Sequence, residues 1–123
     1  MPRRLIPSLF AVAVLIASAA QAHPKLLKST PVADGRVAAP AAITLVFSEK
    51  LVAQFTGVEL IMAARPGMAE MKIDGLTTKV AADGKTLKVT PKTRLSRGGY
   101  RVDWHAVAAD THRIKGSFAF TVR

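Results

Sequence analysis

The sequence predicts an all-β domain, an antiparallel sandwich of about seven short strands, and three observations carry that expectation. Turn-forming residues recur at short intervals: Pro31 to Gly35, Pro40, Gly57, Arg65-Pro66-Gly67, Asp74-Gly75, Asp83-Gly84, Pro91, Gly98-Gly99 and Gly116. The runs between them are short and rich in β-branched and apolar residues, and two of them alternate strictly. After residue 22 no stretch carries the apolar period of a helix, apart from room for a helical turn near 50–55.

The expected elements follow in chain order. His23 to Ser29 is read as a first strand, Ile43-Thr-Leu-Val-Phe47 as a second and Val58-Glu-Leu-Ile-Met62 as a third. Thr77–Val80 and Thr86–Thr90 flank Ala82-Asp83-Gly84-Lys85, a hairpin in which Asp-Gly accepts the positive φ of a tight turn. In Tyr100-Arg-Val-Asp-Trp-His-Ala106, Tyr100, Val102, Trp104 and Ala106 share the core face, and Arg101, Asp103 and His105 point to solvent. Ser117–Val122 closes the chain with Phe118, Phe120 and Val122 on one side.

Residues 1–22 are set apart from this domain. Arg3 and Arg4 precede an apolar stretch from Leu5 to about Ala17, and Ala20-Gln21-Ala22 supplies a small-residue cleavage motif. That order describes a secretory signal peptide, and the apolar run is short against the ~20 residues of a membrane span. Cleavage leaves a domain over residues 23–123 that begins at His23 and is exported. Without Arg3 and Arg4 the net charge falls from +10 to +8. Its lysines and arginines are scattered and aromatics are few, which argues against a nucleic-acid interface and for a solvated basic surface, with peripheral membrane contact at most. There is no cysteine, which excludes disulfides and thiolate metal sites.

Cleavage changes the chemistry of His23. A terminal histidine offers its α-amine and its ring Nδ1 to one metal ion, and the second bond of such a chelate forms at high effective concentration. Pro24 has no amide N–H, so the next backbone nitrogen cannot join them. Asp110 and His112, in Ala109-Asp110-Thr111-His112, are the best candidates to complete the set. Three nitrogens and one oxygen suit tetragonal Cu(II), which heads the affinity order for such donors; zinc also takes histidine and aspartate. A second cluster, Met62, Met68 and Met71, surrounds Pro66-Gly67. Thioethers favour Cu(I), and core packing is the equal alternative.

These residues resemble the CopC family of periplasmic copper-resistance proteins. His23-Pro-Lys-Leu-Leu-Lys-Ser-Thr-Pro31 is similar to the family's H-x-x-L-x-x-S-x-P opening, and Ile43–Glu49 to its L-x-F-S-E strand end. Gly99–Trp104, Asp110-Thr-His112 and Gly116-Ser-Phe118 resemble the Y-x-V-x-W…S-x-D-x-H…G-x-F signature. The resemblance implies a Greek-key β-sandwich or barrel of the immunoglobulin or cupredoxin kind, holding Cu(II) in the periplasm through the amine and imidazole of His23, Asp110 and His112. It adds Glu49 as a further residue near the copper, as a ligand or as a group orienting a histidine. It implies a CopD-type inner-membrane copper transporter as partner; the chain is expected to act as a monomeric carrier and not as an enzyme. The chain departs from the family at the methionine loop, where no histidine lies between Met62 and Met71, and at Ala109, where serine is usual; a Cu(I) site there is weaker or completed elsewhere.

Two other readings compete with a copper carrier. A terminal histidine with a second histidine also serves copper oxygenases, which need an open coordination position and a flat aromatic surface. A plain immunoglobulin-like adhesion domain would bind no metal.

Overall fold

The structure, a computed structural model, describes residues 23–123; the leader read over residues 1–22 lies outside them. Nine strands run in order: β1 (Leu26–Thr30), β2 (Arg36–Val37), β3 (Ile43–Phe47), β4 (Gly57–Met62), β5 (Met71–Lys72), β6 (Thr77–Val80), β7 (Thr86–Thr90), β8 (Gly98–Val107) and β9 (Arg113–Val122). The one helical element among the described residues is a 3-10 turn, Ala53–Phe55, inside the stretch expected to turn. No helix of the described residues is long and apolar enough to cross a membrane.

Two sheets form a sandwich. One has the order β1-β3-β7-β6 and the other β2-β9-β8-β4-β5, so the chain changes sheet repeatedly. All pairings are antiparallel except that of β2 with β9. The extra strands over the expected seven, β2 and β5, are two residues long, too short for alternation to register. The first strand starts at Leu26 rather than His23, since Pro24 lacks a ladder donor and is itself fully buried.

Alternation sets the core. Ile43, Leu45 and Phe47 of β3, Leu87 and Val89 of β7, Tyr100, Val102, Trp104 and Ala106 of β8, and Phe120 and Val122 of β9 turn inward and are buried. Tyr100 keeps its polar end satisfied: its hydroxyl donates to the carbonyl of Ser96 at 2.7 Å while its ring stacks on Phe120. Trp104 meets Phe47 edge to face, with ring centroids 5.2 Å apart, and covers Gly116, its partner on β9. A Cβ at residue 116 would stand 2.4 Å from Trp104 Cζ2, so only glycine fits beneath the indole.

The β6–β7 hairpin turns as its Asp-Gly sequence predicts. Gly84 has φ +73°, and Asp83 accepts from the backbone N–H groups of Lys85 and Thr86 and from the Thr86 hydroxyl. Those bonds, the Lys85 N–H foremost, hold the Asp83 carboxyl below its usual range. His105 departs from the exposed position expected for it. It is half-buried over Gly57, where a Cβ would stand 3.1 Å from its Cε1, and burial, aided by the charge of Arg113 and opposed by that of Glu59, lowers its pKa.

Candidate metal centre

The start of the described chain and the β8–β9 connection meet at one end of the sandwich. Buried Pro24 and a reciprocal pair of bonds fix the first residues: the Lys25 N–H donates to Ser48 Oγ at 2.9 Å, and the Ser48 N–H donates to the Lys25 carbonyl at 2.9 Å. His23 is thereby held beside the end of β3 rather than trailing into solvent.

Asp110 and His112 lie in the connection from β8 to β9. Leu51 bridges to Ala108 at the base of this loop. The Thr111 N–H donates to the Ala108 carbonyl at 2.9 Å, with Thr111 at φ +66°, a left-handed conformation uncommon for a non-glycine residue. Asp110 Oδ1 accepts from the His112 N–H at 3.2 Å, an Asx turn. One carboxylate oxygen thus shapes the loop, and the other is left to face the imidazoles.

Asp110 Oδ2 stands 2.7 Å from His23 Nδ1 and 3.5 Å from His112 Nδ1. The two imidazole centroids are 5.1 Å apart and tilted by 40°. One donor atom from each residue lies within 4.8 Å of the others. Donors sharing one ion at bonds of about 2 Å stand no more than ~4 Å apart, so a small inward movement would close the cluster on a metal. Exposure is graded: the side chain of Asp110 is 20% exposed, His23 34% and His112 71%. His23 Nδ1 and Asp110 Oδ2 are shielded from solvent, which raises the energetic value of a cation placed between them.

The other residues singled out in the sequence lie elsewhere. Glu49 is not in the cluster; it lines a neighbouring pocket with Lys50, Lys85, Ala108 and Ala109. Met62 is buried, with Sδ 4.0 Å from the Ser96 hydroxyl. Met68 and Met71 are about half exposed. Met71 pairs with Met62 across β4 and β5, and Arg65 and Met68 exchange backbone bonds around Pro66-Gly67. The cluster thus unites three of the seven residues, while the methionines form a separate group at the β4–β5 connection. The sequence reading missed Ser48 as the clamp on the first residues. Its only sequence signal is its place between Phe47 and Glu49.

A two-sheet β-sandwich with a His, Asp, His cluster joining its first described residue to the β8–β9 connection defines the class of protein. The model of the CopC domain family matches residues 26–123. Copper resistance protein C of Pseudomonas syringae pv. tomato is 48% identical over 120 residues, covering 94% of this chain and 93% of that protein. The crystal structure of PcoC, described as a methionine-rich copper resistance protein from Escherichia coli, superposes with a TM-score of 0.76 at 43% identity, over 83% of this chain and 100% of PcoC. CopC from Methylosinus trichosporium OB3b, 23% identical with a TM-score of 0.67 over 81% of this chain and 93% of that one, shares the fold. This chain belongs to the CopC family.

Proposed function

We propose that this chain is an exported copper carrier that supports copper resistance by holding Cu(II) at its first mature residue. The amine and Nδ1 of His23, Asp110 and His112 supply three nitrogens and one oxygen. The ion buffered there is exchanged with a membrane copper transporter. The observation that carries this reading is the convergence of His23, Asp110 and His112 within 4.8 Å in a member of the CopC family. The copper-resistance names of PcoC and of the Pseudomonas protein support copper as the ion.

The residues divide the work. Asp110 presents Oδ2 to both imidazoles while its other oxygen stays on the loop backbone, so the carboxylate neutralises charge without losing its orientation. The Lys25–Ser48 clamp keeps His23 at the loop. Exposed His112 is the donor that leaves or joins first. A periplasmic location follows from the leader read over residues 1–22. Met68 and Met71 are the thioethers within reach of Cu(I), and Met62 packs in the core.

An EPR spectrum of the Cu(II)-loaded chain beginning at His23 tests the reading. A tetragonal signal with three nitrogen donors supports it; a spectrum with no protein nitrogen refutes it.

A further inference from the structure

Beside the cluster lies a cleft of about 540 Å³, walled by Val52, Phe55 and Val107 on its apolar side and by His105, Thr111 and Arg113 on its polar side. We propose that it is the docking surface for an acidic, apolar-anchored segment of a partner protein that exchanges the metal with this chain. The proposal rests on the copper-carrier reading for what is exchanged, and on the cleft alone for the docking.

Continuity with the cluster comes first. Thr111 is a wall of the cleft and also the residue between Asp110 and His112. A segment seated there meets the exposed edge of His112, whose side chain is 71% exposed. The cleft is also preformed. The Val52 N–H donates to the Val107 carbonyl at 2.8 Å, and the Val107 N–H donates to the buried Thr56 hydroxyl at 3.2 Å. The 3-10 turn that carries Phe55 is therefore tied to β8, and little ordering entropy is lost on docking. Phe55 itself is 56% exposed, an aromatic held open on a fixed turn, and such rings anchor interfaces.

Charge selects the occupant. The lining includes the Arg113 cation and no carboxylate, on a domain whose residues 23–123 carry +8. A basic partner would be repelled and an acidic one steered to the cleft. Exchange then needs only ligand substitution. A donor of the docked segment bonds to the ion as the His112–metal bond breaks, and no electron moves.

The test titrates the metal-free chain beginning at His23 with the blocked peptide Glu-Leu-His-Leu-Glu, followed by 15N NMR. Saturable shifts are expected at Phe55, His105, Thr111 and Arg113. Binding should weaken at least about fivefold in Phe55→Ser, in Arg113→Glu, and when lysines replace the peptide's glutamates. The lysine peptide keeps the test independent of variant folding. Absent cleft shifts, or equal binding of the lysine peptide, would overturn the proposal. So would the same shifts on concentrating the protein alone, which make the occupant a second copy, or with phosphatidylglycerol vesicles, which make it a lipid surface. In the Cu(II)-loaded chain, Phe55→Ser should slow copper loss to the peptide about fivefold at unchanged Cu(II) affinity; an unchanged rate would overturn exchange through the cleft. A chain that binds the peptide and not Cu(II) would overturn the carrier reading and leave the docking site standing.

Discussion

Asp110 Oδ2 lies 2.7 Å from His23 Nδ1, joining the first described residue to the last loop of the sandwich. Neither side chain reaches that position alone. Buried Pro24 and the Lys25–Ser48 bonds deliver His23, and the Asx turn to His112 aims Asp110.

Asp110 and Glu49 should therefore differ sharply on substitution. Asp110→Ala removes the oxygen shared by both imidazoles and the cap of its loop, and should weaken Cu(II) binding at least about tenfold; Glu49→Gln, outside the cluster, should stay within about threefold. Competition titration with a chelator of known affinity gives both values.

Much of this was legible in the sequence because it rests on local rules. Alternation placed Tyr100, Val102 and Trp104 inward, and Asp83-Gly84 marked its hairpin. A terminal histidine and an Asp-x-His pair each have recognisable metal chemistry, so the three residues could be named before they were seen to meet. What escaped depends on contacts between distant segments. Strands β2 and β5 exist only because β9 and β4 offer them an edge. The burial of His105 comes from side-chain-free Gly57 on the neighbouring strand. The cleft at Phe55 and Arg113 leaves no pattern in the sequence, since its walls come from the 3-10 turn, β8, the loop that follows it and the first residue of β9.

The methionines should separate by burial. Changing Met68 and Met71 together to leucine removes the exposed thioethers and should lower Cu(I) affinity at least about tenfold, with Cu(II) affinity unchanged. Met62→Leu is a core substitution of similar volume and should alter stability by less than about 1.5 kcal/mol. Cu(I) competition assays and urea unfolding distinguish the two outcomes; unchanged Cu(I) binding in the double variant would return Met68 and Met71 to a packing role.

Gly116→Ala should destabilise the fold by about 1–3 kcal/mol, because its methyl group would overlap the Trp104 indole. Trp104 cannot move away without disturbing Phe47. Urea unfolding measures the loss; an unchanged midpoint would mean that the indole does not sit over Gly116.

His105 should titrate below the ordinary histidine value of 6.5, first because it is partly buried and second because of Arg113. Its folded-state pKa is depressed, so the unfolded chain binds the proton more readily. The stability this histidine contributes is present above pH 6.5 and is lost as pH falls through the folded pKa. Arg113→Ala should raise that pKa, and NMR titration of the His105 ring in the metal-free chain checks both statements.

The central claim, that leader removal turns His23 into a two-nitrogen chelate, is tested most directly by acetylating its α-amine. The acetyl group leaves the ring and Asp110 in place, converts the His23 amine into an amide and, unlike an added residue, brings no new amine. Cu(II) affinity should fall at least about a hundredfold relative to the unblocked chain that begins at His23, with one nitrogen fewer in the EPR spectrum. Equal affinities for the two chains would contradict the account.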